Sequence, residues 1–133
     1  MRKREDVLAN KRAAERRGRR SETWAAMFLM AKGYRILGRR VRTHAGEIDL
    51  VSLPPFGPVC IVEVKTRAPG RDATEAVGPV QWTRIARAAC LYLASRPQLQ
   101  GRGARFDVIT VAGFRGISRM CGGLMIKGAG TWR

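Results

Sequence analysis

The sequence predicts an α/β fold: a mixed sheet of four or five strands with helices packed on its faces. Three observations predict it. Val59-Cys60-Ile61-Val62-Glu63-Val64-Lys65 is rich in β-branched residues, as a buried strand is. Segments with apolar residues at helical spacing lie on both sides of it in sequence. Clusters of glycine and proline separate these pieces. At 133 residues the chain is long enough for one hydrophobic core, and 45% hydrophobic residues is a globular proportion.

The first helix is expected at about 21–32. Trp24, Met27, Phe28 and Ala31 fall on one face, and Gly33 stands where a glycine ends a helix. Tyr34-Arg35-Ile36-Leu37 reads as a first strand, followed by a basic turn at Gly38-Arg39-Arg40. Glu47-Ile48-Asp49-Leu50-Val51 alternates polar and apolar. With Pro54-Pro55-Phe56-Gly57-Pro58 as the turn, it forms a hairpin with 59–65. Pro79 opens a second helix that runs to about Ser95 with Trp82, Ile85, Ala89 and Leu93 as its stripe. Arg105 to Val111 is a late strand, with Arg105 and Asp107 read as an ion pair on one face. Residues 112–133 carry many glycines and no period, so no structure is assigned to them.

Charge is the strongest compositional signal. Twenty-six Lys and Arg against 10 Asp and Glu leave +16, with a pI near 11.5. A globular chain this basic points to a polyanion partner, nucleic acid first. An anionic membrane surface ranks second, because neither end shows a basic amphipathic helix with a bulky apolar face. Residues 1–20 form a basic arm, disordered or a frayed helix that orders on a partner. Arg19 and Arg20 close it. The longest apolar stretch, Trp24 to Ala31, is far short of the roughly 20 residues of a membrane span. No secretory leader is read at the start. Cys60, Cys90 and Cys121 lack metal-ligand spacing, which suits a reducing cytoplasm, and the single histidine, His44, excludes a multi-histidine metal site.

The residues that carry chemistry are Asp49, Glu63 and Lys65. Glu63 and Lys65 lie two apart in a strand and share a face, while Val62 and Val64 point the other way. Asp49 stands on the facing strand, within cross-strand reach of Glu63. Two carboxylates held close raise each other's pKa, and a divalent cation relieves the repulsion. Mg²⁺ takes one or two carboxylates together with water and phosphate. Lys65 would then orient the attacking water or stabilise phosphate charge. The same spacing also suits a Glu63–Lys65 structural pair with Asp49 capping a turn. Glu47 shares a face with Asp49 and either joins or flanks the site. Arg67, Arg71, Arg84 and Arg87 surround the core segments as candidate phosphate contacts.

Gly46-Glu47-Ile48-Asp49-Leu50 followed by Val62-Glu63-Val64-Lys65-Thr66-Arg67 resembles the PD-(D/E)xK nuclease core. Together with Ala76-Val77, the 85–93 helix segment and Arg105-Phe106-Asp107-Val108, the chain resembles the bacterial YraN family over residues 20–111. That family is considered related to archaeal Holliday junction resolvases. The resemblance implies a restriction endonuclease-like core and a Mg²⁺- or Mn²⁺-dependent endonuclease site. Asp49, Glu63 and the Val64 carbonyl would be the ligands. It also implies that Glu22 lies beside the metal. At Gln81 the chain departs from the family, which tends to carry a basic residue there. The substrate expected is DNA, branched or single-stranded, cut by a homodimer. The alternative is a DNA- or RNA-binding accessory factor that does not cleave.

Overall fold

The computed structural model describes residues 2–66, 79–111 and 117–126, with side chains given up to Val111 except that of Arg17. Helix α1 spans Arg2–Ala31, strands β1, β2 and β3 span Arg35–Thr43, Gly46–Leu53 and Val59–Thr66, and helix α2 spans Pro79–Ala94. A 3₁₀ turn at Pro97–Arg102 leads to β4, Ala104–Val111, and then β5, Ile117–Ile126.

One five-stranded sheet has the order β1-β2-β3-β4-β5. The first three strands are an antiparallel meander, β4 runs parallel to β3, and β5 returns antiparallel to β4. A parallel neighbour requires a crossover, and α2 lies within it. This mixed sheet between two helices is a restriction endonuclease-like core.

Strand alternation sorts the two faces. Val59 and Ile61 pack with Ile85, Ala89, Tyr92 and Phe106 under α2. Cys60 and Val62 pack with Ala25, Ala26, Leu29 and Ile109 under α1. Continuing that period places Glu63 and Lys65 on the α2 face and Val64 on the α1 face. Trp82 meets Phe106 edge-on at 5.7 Å, so it belongs to the core stripe as expected.

Four expectations need correction or extension. The arm is not separate from the first helix: α1 is continuous from Arg2, in keeping with a segment rich in Ala, Arg, Lys and Glu, all strong helix formers. Its residues 2–16 are exposed. Secondly, α1 does not bury the face carrying Trp24 and Met27, which remain 48% and 52% exposed; Ser21, Glu22, Ala25, Ala26 and Leu29 go inward. Small residues let α1 approach the sheet, and the larger stripe stays outside. Thirdly, Gly38-Arg39-Arg40 is no turn but part of β1. The register slips between Ile36 and Gly38, and the strand goes on to Thr43. A Cβ on Gly38 would stand 2.7 Å from Val41 Cγ2, so the slip depends on glycine. Lastly, β5 gives structure to part of the tail that the sequence left unassigned.

Candidate active site

The site lies where β2 and β3 part. Their ladder pairs Ser52 with Cys60, Val51 with Ile61 and Leu50 with Val62, and ends there. One step on, Asp49 Oδ2 accepts the Val64 N–H at 2.9 Å, so a side chain takes a main-chain donor as the strands diverge. Alternation in β2 also breaks at this point. Ile48 and Val51 both join the α2-side core, while Leu50 joins the other. The site therefore coincides with an irregularity in the sheet.

Glu63 is held from α2. Gln81, in its first turn, donates from Nε2 to Glu63 Oε1 at 2.8 Å. Lys65 Nζ donates to Gln81 Oε1 at 3.4 Å and lies 3.7 Å from Glu63 Oε1. Gln81 thus bridges the acid and the base, a role that no cationic side chain could fill on both sides. Glu63 and Lys65 form a loose pair, with side chains 11% and 32% exposed.

Electrostatics sets this pair apart. Burial, then the neighbouring Asp49 charge, pushes the Glu63 carboxyl up to about 7, against the opposing pull of Lys65. Asp49 is also raised. Burial is the main cause, the Val64 hydrogen bond opposes it, and Glu22 and Glu47 add repulsion. Two half-buried carboxyls that repel each other have a deficit of positive charge.

Glu22 comes from α1 on the other side. It is buried, and its Oε2 accepts from Arg40 Nε at 2.6 Å. Arg40 escaped sequence reasoning because its segment read as a basic turn. Its position opposite Asp49 follows only from the β1–β2 register. Nearby, the Ser21 and Thr66 hydroxyls hydrogen-bond at 2.7 Å and tie α1 to the end of β3.

The remaining candidates are more dispersed. Glu47 is exposed and lies 3.9 Å from Arg42 on β1. Arg84 and Arg87 are exposed on α2, and Arg19 and Arg20 are exposed on α1 just before Glu22. Arg67 and Arg71 fall outside the described residues. His44 is exposed at the β1–β2 turn, where Thr43 Oγ1 accepts the Ala45 and Gly46 N–H groups.

Among the described residues no group of three or more His, Cys, Asp and Glu side chains is arranged to hold a metal ion. Asp49 and Glu63 nonetheless fit Mg²⁺ or Mn²⁺ by donor chemistry. They are hard oxygen donors that repel each other, and Mg²⁺ commonly needs only one or two carboxylates beside water and substrate phosphate.

Comparison with known proteins gives this chain a family. The model of the Uncharacterised protein family UPF0102 matches residues 21–111. The chain belongs to this family. UPF0102, or YraN, is thus the group whose resemblance the motifs carried. A UPF0102 protein of Agrobacterium fabrum, Atu0303, is 47% identical over 107 residues, covering 80% of this chain and 87% of the relative. One from Caulobacter vibrioides is 50% identical over 101 residues, covering 75% and 79%. Mmar10_3014 of Maricaulis maris is 46% identical over 101 residues, covering 76% and 79%. The match starts at Ser21, so the basic arm of this UPF0102 chain, residues 1–20, lies outside the family segment. No described helix is long and apolar enough to cross a membrane.

Proposed function

We propose that this UPF0102 protein is a metal-dependent endonuclease acting on DNA phosphodiester bonds. The observation that carries the reading is the half-buried Asp49–Glu63 pair, with Glu63 raised to about 7 and Lys65 Nζ 3.7 Å away. Such a pair is costly to bury in a strand unless it has work to do.

Asp49 and Glu63 would hold Mg²⁺ or Mn²⁺, with the Val64 carbonyl as a further ligand. When bound, the ion acidifies a coordinated water and offsets phosphate charge. Gln81 fixes the Glu63 carboxylate and the Lys65 ammonium relative to each other. Lys65 orients the attacking water and stabilises charge on the phosphate as it is attacked. Glu22 adds negative charge beside Asp49. The arm and the exposed Arg84 and Arg87 supply affinity that does not depend on sequence. If about five phosphates are neutralised, log K falls with log salt at a slope near −4.5. A homodimer would present two such sites to a symmetric branched substrate.

The second reading is a binding protein that does not cleave. It is favoured by the Glu22–Arg40 bond, which commits one acid of the neighbourhood to an internal cation. The deciding experiment uses labelled single-stranded, duplex, flap and four-way-junction DNA with Mg²⁺, Mn²⁺ or EDTA. Cleavage that needs metal and disappears in both Asp49→Ala and Lys65→Ala supports the nuclease. Binding without cleavage in every metal supports the accessory factor.

A further inference from the structure

We infer that Arg40 is a substrate-phosphate-binding residue of this site, held in place by Glu22. The inference builds on the nucleic-acid reading above and names a contact that the reading lacks.

Four observations converge on Arg40. First, register places it. Arg39 pairs with Leu50 and Val41 with Ile48, so Arg40 lies directly across from Asp49. Asp49 in turn lies next to Glu63, so Arg40, Asp49 and Glu63 follow one another across three neighbouring strands. Secondly, its backbone is unusual. Arg40 has φ +49° and is the one non-glycine residue with positive φ among the described residues. A bulky side chain in this left-handed region is disfavoured, and such residues concentrate at functional sites.

Thirdly, the guanidinium is anchored through one nitrogen. Nε donates to Glu22 Oε2 at 2.6 Å, and that bond is the main cause that raises the Arg40 pKa. A guanidinium has five N–H donors, and Nε uses one of them. The two Nη nitrogens keep the planar fork that matches phosphate oxygens. Fourthly, the side chain is 35% exposed while that of Glu22 is 10% exposed, so the anchor is inside and the fork has access to solvent.

Glu22 therefore acts as a positioning residue. It holds a cation that Asp49 and Glu47 also attract. A phosphate at the Asp49 end of the site would meet the free fork of Arg40.

The test separates this contact from cleavage. Binding of a fluorescent duplex oligonucleotide is measured at several salt concentrations in EDTA, for wild type, Arg40→Gln, Arg40→Lys and Glu22→Gln. Removing one phosphate contact should reduce the log–log salt slope by about 0.9 and weaken binding several-fold at low salt. Arg40→Lys should restore the slope, and Glu22→Gln should weaken binding without removing a unit of slope. Arg40→Gly, which relieves the backbone but leaves the buried Glu22 without its cation, should lose the same unit of slope as Arg40→Gln. Slopes are compared only at temperatures where the melting curve of each variant shows it folded, which keeps the result independent of folding defects. An unchanged slope in Arg40→Gln, or no binding by wild type, overturns the proposal. A reduced slope in a protein that never cleaves would retain Arg40 as a phosphate contact and remove the nuclease reading. Normal metal-dependent cleavage with an unchanged slope would do the reverse.

Discussion

Two acid–base pairs on neighbouring parallel strands share a sequence pattern and little else. On β4, Arg105 and Asp107 are two apart and form a fork: Nε to Oδ1 and Nη2 to Oδ2, both 3.1 Å. Arg105 Nη2 also donates to the Tyr34 hydroxyl at 3.4 Å, and Asp107 is 0% exposed. On β3, Glu63 and Lys65 are also two apart, yet their charges stand 3.7 Å apart and a second carboxyl crowds the acid. The first pair is closed and satisfied. The second is open, short of positive charge and reachable from outside. An acid and a base at i, i+2 are therefore a strut or a site according to what surrounds them.

The largest effect should come from opening the closed pair. Asp107→Ala leaves a mostly buried guanidinium without its carboxylate and should cost about 3 kcal/mol of stability. Urea denaturation would read this, and a loss under 1 kcal/mol would mean that the strut contributes little. The matching change in the open pair should act on chemistry instead. Asp49→Ala and Lys65→Ala should each lower metal-dependent cleavage by about 100-fold or more, with a loss of stability smaller than that of Asp107→Ala. Large destabilisation by either variant would make the open pair a strut too.

The pH dependence should differ in the same sense. In metal-free protein the Glu63 carboxyl titrates near 7, against 4.5 for an ordinary glutamate. The native state then holds the proton more tightly than the unfolded chain, so stability falls as pH rises through that window. The fall is capped at about 3 kcal/mol. Glu63→Gln should flatten the curve between pH 4.5 and 7, and Mn²⁺ should lower the Glu63 pKa and reduce the slope. Stability rising over the same window in wild type would contradict the assigned environment. The smallest effect should be that of Gln81→Ala. It removes two hydrogen bonds that align Glu63 with Lys65, worth about 1 kcal/mol, and should reduce cleavage by about tenfold or less. A loss as large as that of Lys65→Ala would place Gln81 on the substrate.

Much of this site was legible in the chain. Strand period alone placed Glu63 and Lys65 on one face and Val64 on the other, because alternation is a local property. The hairpin residues brought Asp49 near Glu63 for the same reason. Trp24 misled because helical spacing shows which residues share a face but not which face the sheet accepts. Packing chose the small side chains Ala25 and Ala26.

By itself the sequence determined the α/β class, the hairpin, the acid pair with its lysine, and a charge of +16. These follow from local period, turn chemistry and composition. Only tertiary structure decided that Gln81 bridges Glu63 and Lys65, and that Glu22 holds Arg40 across from Asp49. Those relations depend on a strand slip at Gly38 and on where two helices dock. Contacts between residues 16 and 18 positions apart leave no periodic trace in a chain.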